Sequence, residues 1–112
     1  DPWPRSLIDD LVTIHFVHRG CGVAIAVLAL AQLAASFARP TSCARRRAAL
    51  AVAGAALTTA GLGIATVLTG VSTVPAAAHQ LSALLLFACA IVALHVALQG
   101  GPETQSAHPA SR

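Results

Sequence analysis

The chain has 112 residues, of which 56% are hydrophobic and only 10% charged. Soluble domains carry about 25% charged residues, so this composition excludes a water-surrounded globule, and its hydrophobicity excludes a disordered chain. The formal net charge is +3, but its cations are all Arg, too few and too clustered in loops for a nucleic-acid surface. No nucleic-acid partner is expected, and the charges are read as orienting the chain in a membrane.

A helix needs about 20 apolar residues to cross a bilayer, and the chain offers three such runs. The first is charge-free from Gly20 to Ala38. Its helix is expected to start near Leu7 and to carry Asp9, Asp10, His15, His18 and Arg19 in its opening turns. A basic loop follows, from Arg39 and Pro40 through Arg45, Arg46 and Arg47. The second run extends from Ala48 to Val71 without a charge, and an uncharged turn, Gly70 to Pro75, links it to the third. Pro75 suits a first helical turn, where its missing N–H costs nothing. The third run, Pro75 to Leu98, is interrupted only by His79, Gln80, Ser82 and His95. Residues 99–112 are polar and rich in helix breakers, and a flexible tail is expected there.

These runs predict an all-α membrane protein with one transmembrane unit, residues 1–98, whose spans cover about 7–38, 48–71 and 75–98. Four Arg lie between the first two spans and none between the last two. The positive-inside rule then places the basic loop and the tail in the cytoplasm and the N-terminus outside, as in a bacterial inner membrane. The opening residue is Asp1, so a processed product, a fragment or the ordered part of something longer is expected. The first apolar run begins too late and is too long for a signal peptide. Cys21, Cys43 and Cys89 form neither a C-x-x-C nor a C-x-x-C-H motif, and Cys21 and Cys89 read as small apolar residues within their runs.

Ionisable groups inside a span are expensive and mark function. His18, in the outer part of span one, and His79, one turn into span three, lie at matched depth on helices that run the same way. They can face each other across the bundle. Two facing imidazoles suit bis-axial ligation of a haem iron, because the porphyrin supplies the rest of the coordination sphere. A zinc or copper site would recruit a third or fourth ligand, for which Cys21 is one turn deeper. Buried polar contacts between helices are the remaining reading.

His15, three residues before His18, lies on nearly the same helical face, where it would bond a haem propionate or sit in the interface. Arg19 suits a propionate carboxylate or snorkels to the headgroups. Gly61 and Gly63 in span two would admit either a flat ring or a neighbouring helix. His95 follows His79 by about 24 Å along the axis at ~1.5 Å per residue, too far for the same iron, and His108 lies in the tail.

Three strings resemble one family. Val12-Thr13-Ile14-His15-Phe16-Val17-His18-Arg19 resembles the "V-Q-F-x-H-R" opening of a helix in haem A synthases, the CtaA/Cox15 family, with His15 where the family has Gln. Gly61-Leu62-Gly63-Ile64-Ala65-Thr66-Val67-Leu68 resembles that family's following helix. Ala78-His79-Gln80-Leu81-Ser82-Ala83-Leu84-Leu85 resembles its last, with the "H-Q-x-x-A-x-L-L" signature. The resemblance spans about Leu11 to Leu98.

It implies an eight-helix, pseudo-symmetric fold made of two four-helix halves, of which this chain matches the last three helices. It implies haem b held between two His in the C-terminal half, here His18 and His79. The family's reaction oxidises the methyl of haem O to the formyl of haem A, in haem biosynthesis for terminal oxidases. The catalytic half, with its substrate haem and glutamate, has no counterpart in these strings, and the only Glu is Glu103. Two expectations follow: a haem b-binding part of a synthase, or a non-enzymatic haem-binding or structural subunit of a larger membrane complex. Either way the missing helices come from the same longer chain or from a neighbouring membrane subunit, and the remaining partner is the lipid bilayer.

Overall fold

The computed structural model describes residues 11–99. The helix start expected near Leu7, Asp9 and Asp10, and the tail beyond Gln99 lie outside the described residues. Three α-helices and, among the described residues, no strands make up the fold: α1 Leu11–Ala38, α2 Cys43–Leu68 and α3 Thr73–Gln99. Each is long and apolar enough to cross a membrane. At a rise of about 1.5 Å per residue, all three exceed a hydrocarbon core of about 30 Å.

The ends of the helices follow from local chemistry. Pro40 disfavours helical backbone at Arg39, and α1 stops at Ala38. Ser42 is extended (φ −62°, ψ 150°) and its hydroxyl accepts the Arg45 N–H at 3.3 Å, an N-cap that satisfies one of the free donors of the first turn. The helix therefore begins at Cys43, ahead of the charge-free run, and Arg45, Arg46 and Arg47 lie in its opening turns. Arg45 Nη2 donates to the Ala97 carbonyl of α3 at 3.4 Å. Arg46 stacks on Phe37 of α1 at 4.8 Å, a cation–π contact.

At the far end of α2, the Val71 N–H bonds the Thr66 carbonyl at 2.8 Å and the Gly70 N–H bonds that of Val67 at 3.2 Å. This is a Schellman motif, which requires a left-handed residue just past the cap. Gly70 supplies it at φ 66°, but Val71 is also left-handed, at φ 61°.

The core is built of small residues. Ala49, Val52, Ala53 and Ala56 are buried on α2, at the i, i+3, i+4, i+7 spacing of one helical face. Val52 and Ala56 cluster with Ala29 of α1 and Ala93 of α3, flanked by Leu86 and Cys89. Small side chains let backbones approach closely, the usual way of packing helices in lipid. Most of the large apolar residues are exposed instead, among them Phe16, Leu68, Leu84 and Leu98. Helix α2 packs against both neighbours, whereas no Cα of α1 comes within 8 Å of one in α3. A cleft therefore runs between α1 and α3, with α2 as its floor.

Candidate functional site

The cleft holds a cavity of about 530 Å³, within the range of roughly 300–1,000 Å³ typical of cofactor sites. At its head stand His18 of α1 and His79 of α3. Their ring centroids are 5.9 Å apart and their planes lie at 79°. These two imidazoles reach across a gap that the helix backbones leave open. Below them the lining is mostly apolar and mixes small residues, Gly22, Ala56 and Ala83, with larger ones, Ile25, Leu86 and Phe87.

His79 is fixed by α2. Its Nδ1 lies 2.9 Å from the Thr59 carbonyl oxygen. A carbonyl only accepts, so Nδ1 carries the proton and Nε2 keeps a lone pair. The Thr59 carbonyl is reachable because the residue one turn on is Gly63. A Cβ built there would lie 3.0 Å from His79 Cε1 and 3.2 Å from Nδ1, so a larger residue would make the ring give by a few tenths of an ångström, and glycine leaves it room. A carbonyl that takes the second ring N–H of a histidine is the usual support of a metal-ligating imidazole. Ser82, one turn below, donates to the His79 carbonyl at 2.8 Å.

The donor set distinguishes between metals. Among the described residues, no group of three or more His, Cys, Asp or Glu converges on one point. Cys21 lines the cavity, but it completes no such group. Zinc and copper sites take three or four protein ligands, whereas a haem iron needs only two, as many as the facing imidazoles could supply. The cavity and the two facing rings, with Nδ1 of His79 engaged by a carbonyl, would fit a haem.

The other expected residues are placed differently. His15 and Arg19 are exposed and do not line the cavity. Gly63 admits a flat ring, and that ring is the imidazole of His79, whereas Gly61 is exposed and a Cβ there meets nothing within 4 Å. His95 is exposed, 2.8 Å from Gln99 through its Nε2, at the other end of α3. The Thr59 carbonyl escapes sequence reasoning, because every residue carries one.

An all-helical membrane protein with a paired-imidazole cleft is thus the class that fold and site define. The chain belongs to the COX15-CtaA family, described as cytochrome oxidase assembly protein, whose sequence profile matches residues 1–91. Neither a curated protein nor a solved structure matches it.

Proposed function

We propose that the chain is the haem b-binding part of a haem A synthase-like protein, with His18 and His79 as the two axial ligands. The observation that carries this reading is the imidazole pair, 5.9 Å apart over the cavity, with the Nδ1 of His79 engaged by a backbone carbonyl. Family membership in cytochrome oxidase assembly supports it.

When bound, the haem would supply one-electron transfer. The protein's part is to bind and orient. His79 Nε2 and a ring nitrogen of His18 would hold the metal. Thr59 would fix the plane of the His79 ring, Gly63 leaves room beside it, and the mostly apolar lining would keep water away. Neither an Asp nor a Glu lies among the described residues, so the oxidation of haem O would fall to groups outside them, and this part of the protein would serve electron transfer or structural support. A fourth helix would close the cleft on the side where His18 is exposed. The second reading is a non-enzymatic haem-binding subunit of a larger membrane complex. Five further spans with an inward Glu in the upstream reading frame would decide for the synthase.

The test is spectroscopic. The protein purified in its membrane context is expected to show a low-spin b-type haem spectrum. His18→Ala and His79→Ala are each expected to abolish that signal, and His95→Ala to preserve it. A low-spin spectrum that survives loss of either cavity histidine sinks the ligand assignment.

A further inference from the structure

The two imidazoles of the cleft are held unequally. His79 is half-buried. Its Nδ1 lies 2.9 Å from the Thr59 carbonyl oxygen, its ring rests beside Gly63, and its own carbonyl accepts from Ser82 at 2.8 Å. His18 is exposed, and it makes no hydrogen bond within the described residues; its ring faces that of His79 and is tied to nothing else polar. We propose that the two are unequal ligands: His79 is the anchor that receives the haem, and His18 is an exchangeable ligand that closes on the iron second. The inference rests on the haem reading above and adds to it a difference between its two ligands.

The difference has a physical cause. A ligand whose ring is already fixed has less freedom to lose when the metal arrives. A ring that donates its second N–H to a carbonyl also presents a more basic nitrogen to the metal, in a set tautomer and a set direction. His79 has both advantages, and α2 supplies them: Thr59 and Gly63 stand one turn apart on the same helical face. His18 has neither. Its imidazole must be ordered at the moment of binding, and either of its nitrogens is free to carry the proton.

Access follows the same asymmetry. The Cα atoms of α1 and α3 stay more than 8 Å apart, so the cleft opens between the helices that carry the two rings. The exposed ring stands at that opening and the fixed one lies further in, against α2. A porphyrin that enters there can settle on His79 before His18 turns onto the iron. A small ligand that enters later reaches the His18 side of the iron first.

The test reads spectra of the protein in its membrane context, with its further helices present. His18→Gly is expected to keep its haem, now high-spin and able to bind carbon monoxide when reduced. Added imidazole is expected to enter the space left by His18 and restore the low-spin spectrum. His79→Gly is expected to lose the haem, with no rescue by imidazole. Gly63→Ala placed in the His18→Gly background is expected to lower haem affinity about 10–100-fold relative to His18→Gly alone, because the anchor loses its support. Circular dichroism checks the helix content of each variant, and the double variant keeps the test decisive if His79→Gly does not fold. Haem lost from His18→Gly, or held as well by His79→Gly, overturns the unequal pair while leaving both residues as ligands. A His18→Gly protein that stays high-spin in imidazole overturns the exchangeable ligand. A low-spin spectrum that persists in both single variants without imidazole overturns the haem-ligand reading itself, and this inference with it.

Discussion

A methyl group added at Gly63 has no room unless His79 moves. The added carbon would sit 3.0 Å from the Cε1 of a ring whose Nδ1 is tied to Thr59, and overpacking of this kind costs about 1–3 kcal/mol. Gly63→Ala is therefore expected to tilt the imidazole, break the bond to Thr59 and weaken haem retention about 10–100-fold, the usual effect of losing a ligand's support. Gly61→Ala is the control, since nothing lies within 4 Å of its added Cβ. Haem titration of the two variants checks the difference, and equal affinities would remove Gly63 from the site. The histidine pair was legible in the sequence because an ionisable group in an apolar span has few inexpensive reasons to be there. The purpose of Gly63 was only half legible. Its spacing signals a close approach, but the identity of the approaching ring depends on the register between α2 and α3, which no single helix encodes. The Thr59 carbonyl was not legible at all, for the same reason.

At the scale of the elements, the apolar runs located the three helices, and the capping chemistry moved their ends. Ser42, rather than the last charged residue, decides where α2 begins. Composition could not show this, since Arg is a good helix former and a charge does not stop a helix. The turn between α2 and α3 contains the one strained residue in the described backbone, Val71 at φ 61°. A left-handed L-residue costs roughly 1–2 kcal/mol, and branching at Cβ makes it worse. Glycine relieves this but loses about 0.5–1 kcal/mol of backbone entropy on folding. Val71→Gly is expected to stabilise the protein by about 1 kcal/mol or less, visible as a raised midpoint of denaturant unfolding in detergent; a lowered midpoint refutes the strain. The orientation of the elements rests on Arg39, Arg45, Arg46 and Arg47. Cys43 is exposed beside them, so an impermeant thiol reagent is expected to miss it in intact cells and to label it in inverted vesicles. Labelling from outside would invert the topology and carry the histidine pair to the cytoplasmic leaflet.

For the molecule as a whole, the governing fact is how little of it the three helices bury. In the most apolar stretch of each helix, only 11%, 22% and 11% of residues are buried. Lipid can cover Phe16, Leu84 or Leu98 at no cost, but it cannot serve every exposed group. His18 is exposed at the mouth of the cleft, and a polar group left without a partner in hydrocarbon costs several kcal/mol. A porphyrin held between His18 and His79 would be walled by α1, α2 and α3 and still face outward along the open side of the cleft. Gly54 and Gly61, on α2, are exposed with open space around them, and a surface of this kind accepts another helix at close range. The chain is therefore expected not to hold haem by itself, but to need at least one further helix, from its own longer sequence or from a neighbouring subunit. The measurement is the haem-to-protein ratio of the 112-residue chain purified alone in mild detergent, beside the same chain co-expressed with candidate partner helices. The expected outcome is substoichiometric haem that dissociates during purification, restored to one per chain when the cleft is closed. Full, stable occupancy in the isolated monomer would mean that three helices and a detergent belt suffice, and the argument from the open side would be wrong.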